Sequence, residues 1–411
     1  MKTVEDPLRN APAISFPETA STYTLLHARA VLDGRVVEDA ALVVSNGIIT
    51  AVGSADAIQT EGDLFDLSGY LLFPGLIDTH IHGALGRDFM DSTEESCQII
   101  CRAHAAGGTT ALLGTTVTET IPGIQKALQA IDRARKNNDP LGARLLGAHV
   151  EGPYFSKEKR GAHDVNKIVN PTKESAEALI SAGGPVRIMT FAPELPGTDA
   201  LLKVLHAHHI LGSGGHSDAW EPEARAAFEQ GMTRVTHTFN CMSTMRKRGA
   251  LREAGLVEFA MSEPCITCEL IADGVHVAPT LMKMLYRAKG VEGLCVITDA
   301  TAGYGLQEDD RFRIAGIKCK ISSGFSVTEE DGALAGGCSS MLTCVKNMIR
   351  LVDVPMVDAV RMASINPARA LGMEHEIGSL SVNRKADFLI LNPALDLLAT
   401  YIDGRPVYQK K

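Results

Sequence analysis

The sequence predicts an α/β chain, a (β/α)8 TIM-like barrel with a small β-sandwich domain built from both chain termini. Three observations predict it. Eight apolar, β-branched runs alternate with helix-like segments through the middle of the chain, the pattern of a parallel barrel. Short strand-like runs with tight turns occupy both ends and read as one small sheet domain. Histidines and acids recur at the C-terminal ends of the predicted barrel strands, the face on which barrels build their sites.

Composition allows this architecture. The chain has 411 residues, 45% hydrophobic and 22% charged, enough for a core that one barrel can largely absorb. A net charge of −9 leaves no case for nucleic acid, and an anionic substrate needs local positive groups. Nine cysteines, an odd number at irregular spacings, do not make a disulfide framework. The first residues carry acids and prolines where a secretory signal has an apolar stretch, and no apolar run approaches a membrane span. The expected compartment is the cytoplasm.

In chain order, residues 1–20 read as a polar arm. Short strands follow over 22–70, with a turn at Asp33-Gly34, and a second set with a turn at Asp403-Gly404 answers them at the far end. The small domain is therefore drawn as 1–74 and 378–411, and the barrel as 75–377. Barrel strands are expected at 75–83, 109–117, 143–152, 187–194, 209–217, 234–240, 265–274 and 294–302. Helices are expected between them, for example at 94–108, 121–136, 173–184, 198–208 and 221–231. A polar hairpin-like stretch at 311–332 and two helices, roughly 337–352 and 355–371, complete the barrel.

Reactive residues can now be placed. His80 and His82 end the first strand, Glu151 the third, His216 the fifth, His237 the sixth and Asp299 the eighth. His149 and Glu151 are two apart, as are His80 and His82, so each pair shares one side of its strand. A single histidine on a strand is usually a core residue. Six nitrogen and oxygen donors on one rim instead predict a divalent metal site.

The stretches PGLIDTHIHG, GAHVEGPYFSKEKRGAH, GHSDA, THTFNCM, REAG, ELIADGVHV, TDATAG and DGALAGG run in order over nearly the whole chain. In them the sequence resembles the amidohydrolase superfamily of metal-dependent hydrolases, and within it the N-acetylglucosamine-6-phosphate deacetylases. The resemblance implies Glu151, His216 and His237 as ligands of the main metal and Asp299 as general base. It implies His163, His276 and, in the same motif as His276, Asp273 as substrate-binding residues, one of the two histidines polarising the acetyl carbonyl. Ala162, Asn240 and Cys241 fall where relatives contact the sugar phosphate, and Leu334 and Ala335 near the acyl end. Arg252 matches an arginine that reaches the substrate of a neighbouring subunit, which implies a homodimer.

His80 and His82 add room for a second metal, with Glu151 bridging and Asp299 touching it. One or two ions per subunit are thus expected, Zn²⁺ first, with Fe²⁺, Co²⁺ or Mn²⁺ suiting the same ligands. The implied reaction removes acetate from N-acetylglucosamine 6-phosphate, with Asp299 taking a proton from water and delivering it to the leaving amine. N-acetylgalactosamine 6-phosphate or an unphosphorylated N-acetyl sugar is the alternative substrate. Other amidohydrolases or a non-catalytic scaffold are more distant readings. Glu151 argues against the Lys-bridged amidohydrolases, and the complete ligand set against the scaffold.

Two departures bear on substrate binding. The family usually reads FNAM where this chain has Phe239-Asn240-Cys241-Met242, and REPG where it has Arg252-Glu253-Ala254-Gly255. Arg246, Lys247 and Arg248 precede the second, so Arg248 rivals Arg252 as the phosphate arginine. Three features are read as structural. Cys265 and Cys268, inside a predicted strand, are expected as buried packing. His206, His208 and His209 are expected at the surface. Gly212, Gly214 and Gly215 are expected to permit close backbone approach before His216.

Overall fold

One short pairing draws the two ends of the chain together. Phe388–Leu391 runs antiparallel to Leu71–Pro74, with Phe388 opposite Pro74 and Leu391 opposite Leu71. The computed structural model describes residues 21–32, 34–182, 184–314 and 316–410, so the arm expected over 1–20 lies outside the described residues, as does Asp33 of the first turn.

From that pairing an eight-stranded sheet extends both ways. Leu397–Ile402 and Arg405–Gln409 continue it on one side. Thr22–Leu32, Arg35–Ser45 and Ile48–Ser54 continue it on the other, with Asp63–Asp66 paired beside Thr22–Leu32. The hairpin at Asp403-Gly404 has positive φ at both turn residues, 49° and 71°, as a two-residue turn matched to strand twist requires. The sheet has its own apolar cluster, including Tyr23, Leu25, Leu42, Leu72, Ile390 and Tyr401. Phe388 and Tyr401 stack within it, ring centroids 4.5 Å apart.

Leu71–Pro74 passes through Gly75 into the first barrel strand. The eight parallel strands are Leu76–Ile81, Thr109–Thr115, Arg144–Glu151, Val186–Phe191, Leu211–Gly214, Met232–Val235, Thr267–Ile271 and Leu294–Ile297, neighbours in chain order. The ring closes where the Asp299 amide donates to His80 O at 3.0 Å and the His82 amide to Ala300 O at 2.8 Å. The first and second strands are buried throughout, as strands covered on both faces must be.

The helix Ile121–Lys136 shows how the outer layer is written. Thr120 caps it through the Gly123 amide, and Pro122 enters the first turn, where no helical N–H is needed. Ile124, Ala127, Leu128 and Ile131 bury one face at helical spacing, and three basic residues close the last turn. Arg144, at the start of the third strand, ties barrel to terminal sheet: its guanidinium reaches Asp387 at 2.7 Å and Asp403 at 2.9 Å.

Three expectations need correction, and one stretch left open gains a structure. The seventh strand begins at Thr267, because Pro264 forces a turn after the helix Leu256–Ser262; Cys268 is buried but Cys265 is exposed, so the two are not a buried pair. The basic stretch after the sixth strand is a hairpin, Arg246–Arg248 against Leu251–Glu253, with Lys247 opposite Arg252. The polar stretch at 311–332 holds three antiparallel strands, Arg311–Ile314, Ile317–Ser322 and Phe325–Thr328. The final helix splits into Met356–Met362 and Ile365–Ala370, because Ser364 between them leaves helical backbone at φ −137°. Among the described residues no helix is long and apolar enough to cross a membrane.

Candidate metal centre and active site

Glu151 is the last residue of the third strand. His216, His237 and Asp299 lie just beyond the ends of the fifth, sixth and eighth strands, and all three have left-handed backbone, with φ of 47°, 30° and 50°. Such a conformation costs a non-glycine residue about 1–2 kcal/mol and persists where surrounding structure holds it. Before His216, a Cβ added at Gly215 would lie 2.8 Å from Thr236 Cβ and 2.9 Å from Thr190 Cγ2, so a glycine there does permit close approach. His206, His208 and His209 are exposed, as expected.

These turns aim donors at two adjoining points. At the first, Glu151 Oε1 lies 3.2 Å from His216 Nε2 and 3.1 Å from His237 Nε2, and the two imidazole nitrogens are 3.0 Å apart. At the second, His82 Nε2 lies 3.2 Å from both Glu151 Oε2 and Asp299 Oδ1, and 3.3 Å from His80 Nε2. Glu151 offers one oxygen to each point.

Hydrogen bonds behind the rings fix the protons of two histidines. His216 Nδ1 faces the carbonyl of Lys159 at 2.9 Å and must donate, so its Nε2 presents a lone pair to the first point. His80 Nδ1 faces the Glu269 carboxylate at 3.0 Å, so its Nε2 presents a lone pair to the second. Lone pairs and carboxylate oxygens packed this closely repel one another unless a positive charge lies between them. A tetrahedral ion with bonds of about 2.0–2.1 Å needs ligand atoms about 3.3 Å apart, close to the spacings at the first point. The donor set therefore fits a divalent cation.

The electrostatics agree. Burial opposes ionisation of Glu151, but His80, His216 and His237 outweigh it and hold the carboxyl well below its usual range. Burial likewise opposes charge on Asp299, yet His80 and His82 bring it down to about 2. Burial disfavours a charged His82, but Asp299 and Glu151 push it up to about 9. Carboxylates held ionised beside imidazoles that favour positive charge attract a divalent cation for the same reason.

His163 differs. The Thr118 amide donates to its Nδ1 at 3.1 Å, so the ring proton sits on Nε2. Burial, with His216 beside it, holds its pKa well below the ordinary value, so the ring is neutral. Its Nε2–H points into the centre, 3.6 Å from Glu151 Oε2, as a donor rather than a ligand. His149 uses both nitrogens, on Thr79 O at 3.0 Å and Thr190 Oγ1 at 2.7 Å, and braces the interior beside His80.

A cavity of about 810 Å³ opens above the centre, within the range of small-molecule sites. Ala162, His163, Asn240, Cys241, His276, Leu334 and Ala335 all line it, with Arg160 and Lys167 as its basic residues. Asp273 does not face it. Its Oδ1 accepts the amides of Val275 and His276, and its Oδ2 lies 2.6 Å from His276 Nδ1. The expectation of Asp273 as a substrate contact is thus corrected, because both its oxygens are occupied behind His276. Burial opposes charge on His276, but Asp273 outweighs it and raises its pKa. Arg252 is exposed on its hairpin, away from the wall of this cavity. The side chain of its rival Arg248 lies outside the described residues.

Sequence reasoning missed Glu269 and Arg234. Both are fully buried, Glu269 in the seventh strand and Arg234 in the sixth, and they pair at 3.0 Å. An acid inside an apolar strand was the available signal.

Comparison with known proteins adds the family. The amidohydrolase family matches residues 71–407. The chain is 34% identical over 394 residues to the N-acetylglucosamine-6-phosphate deacetylase of Vibrio furnissii, covering 95% of this chain and 96% of the relative. It is 31% identical to the N-acetylgalactosamine-6-phosphate deacetylase of Escherichia coli O157:H7, covering 93% and 99%. A mutant N-acetyl-D-glucosamine-6-phosphate deacetylase from Mycobacterium smegmatis, solved in complex with N-acetyl-D-glucosamine-6-phosphate, superposes with a TM-score of 0.88 at 28% identity, covering 95% of this chain and all of that one. The chain belongs to the amidohydrolase family, among the N-acetylglucosamine-6-phosphate deacetylases.

Proposed function

We infer that the protein hydrolyses the acetamide of N-acetyl-D-glucosamine 6-phosphate, giving D-glucosamine 6-phosphate and acetate in amino-sugar catabolism. The observation that carries this is the convergence of Glu151, His216 and His237 beside Asp299 and a neutral His163, beneath a cavity roomy enough to admit a hexose phosphate. Glu151, His216 and His237 hold the main divalent cation, Zn²⁺ being the natural choice for this donor set. His80, His82 and Asp299, with the second oxygen of Glu151, offer a second position. Such cations supply Lewis acidity toward water and the amide carbonyl.

The chain's own groups do the rest. Asp299, held as a carboxylate, accepts the proton of the attacking water and delivers it to the amine nitrogen as the carbon–nitrogen bond breaks. His163 donates its Nε2–H to the oxygen that gains charge on the acyl carbon. His276 lines the cavity, held from behind by Asp273, and serves a sugar hydroxyl. Ala162, Asn240 and Cys241 border the sugar phosphate, and Leu334 and Ala335 the acyl end. Arg160 brings positive charge to a cavity that Asp164, Glu330 and Asp331 also line, and Lys167 at its wall is paired with Glu119. The exposed hairpin bearing Arg252 serves a second copy of the chain, as a homodimer. Nine cysteines without a disulfide suit a cytoplasmic enzyme.

The test is side-by-side turnover of N-acetylglucosamine 6-phosphate, N-acetylgalactosamine 6-phosphate and N-acetylglucosamine. The expected result is a kcat/KM at least about tenfold higher for the first, a difference of about 1.4 kcal/mol in transition-state binding. Equal or better turnover of either competitor would transfer the assignment to it.

A further inference from the structure

Glu269 joins both candidate cation positions, although none of its atoms faces the cavity. One oxygen lies 3.0 Å from His80 Nδ1 and accepts the His237 amide at 3.2 Å. The other accepts from Arg234 at 3.0 Å, and Arg234 donates onward to Thr79 Oγ1 at 2.8 Å. His80, His149 and Glu269 are close enough to suggest a third metal cluster. It is closed to metal, because both nitrogens of His149 are engaged and Arg234 already supplies the positive charge.

What Glu269 controls is a proton. A carboxylate accepts only, so it requires hydrogen on His80 Nδ1 and leaves the Nε2 lone pair directed outward. That nitrogen lies 3.3 Å from His82 Nε2, 3.4 Å from Asp299 Oδ1 and 3.5 Å from Glu151 Oε1. His216, in contrast, takes its orientation from the Lys159 carbonyl and owes nothing to Glu269.

We propose that Glu269 is a positioning residue for a second divalent cation: by holding the Nδ1 proton of His80 it opens the position bounded by His80, His82, Asp299 and Glu151, and it acts there more strongly than at the Glu151–His216–His237 position, which it meets only through the backbone amide of His237. The inference rests on the two-position reading above. It makes occupancy of the second position separable from the first. Loss of a partner that orients a metal-binding histidine typically weakens metal binding about 10–100-fold.

The test is the number and affinity of Zn²⁺ ions bound per chain, measured by chelator competition and elemental analysis of the full-length protein. In Glu269→Gln, Arg234 retains the amide oxygen, so the NH2 group faces His80 and drives its proton to Nε2, while His237 loses only a backbone contact. Should that variant fail to fold, Arg234→Met with Glu269→Met removes the buried charges together, a change that buried ion pairs often tolerate, and leaves His80 without its acceptor. The expected result is two ions in the wild type and one tight ion in the variants, with the second weakened at least about tenfold. A folded variant that binds both ions with unchanged affinity, or loses both, overturns the role of Glu269. A wild-type protein that binds a single ion overturns the two-position reading itself.

Discussion

Asp273 accepts the Nδ1–H of His276 at 2.6 Å, and the opposite nitrogen of that ring is buried in the cavity wall without a partner. The carboxylate is itself held by two backbone amides, so the ring is aimed from behind by a rigid support. A charge-assisted hydrogen bond of this kind contributes about 1.5–3 kcal/mol. Asp273→Ala should therefore lower kcat/KM for the sugar phosphate by about 10–100-fold. Steady-state kinetics beside a thermal melt checks this. Unchanged kinetics in a folded variant would leave His276 positioned by something else.

His163 is a neutral donor by construction, since the Thr118 amide occupies its Nδ1. Its contribution grows only as charge develops on the acyl oxygen. His163→Ala should cut kcat by about 100–1000-fold, the usual cost of an oxyanion donor, with little change in KM. A variant that raises KM and spares kcat would instead make His163 a ground-state sugar contact.

Arg144 joins the barrel to the terminal sheet through Asp387 and Asp403. Its guanidinium is only 15% exposed and Asp387 only 2%, so breaking the group strands buried charge. Arg144→Met should destabilise the protein by about 3 kcal/mol near neutral pH. Burial pushes the Asp403 carboxyl up, but Arg144 and Lys385 outweigh it and hold it below its usual range. A depressed folded-state pKa contributes stability above the unfolded value, about 3.9, and that contribution disappears as pH falls through the folded value. The gap between wild type and variant should thus narrow below about pH 4. Urea titrations at pH 7 and pH 3 measure it, and a gap that widens in acid would contradict the assignment.

Much of the fold and of the site was legible because the determining features are local. Each barrel strand is a short run of buried apolar residues, and His80, His82, Glu151, His216, His237 and Asp299 sit at or just past strand ends. What stayed hidden depends on register and on backbone atoms. Arg234 lies opposite Thr267 across the sixth and seventh strands, which brings it beside Glu269; sequence separation does not announce such a pair. The histidine tautomers are set by the Thr118 amide and the Lys159 carbonyl, groups that almost any residue would supply. The corrected place of Asp273 has the same origin, since two of its three bonds are to backbone.

Glu151 and His149 share one side of the third strand and divide the roles sharply: Glu151 faces both candidate cation points, while His149 is consumed by Thr79 and Thr190. The most direct test is therefore the metal content of Glu151→Ala and His149→Ala, each purified and loaded alongside the wild type. A bound divalent cation is expected in the wild type and in His149→Ala, with weakened activity in the latter, and no retained cation in Glu151→Ala. Full occupancy in Glu151→Ala would contradict it.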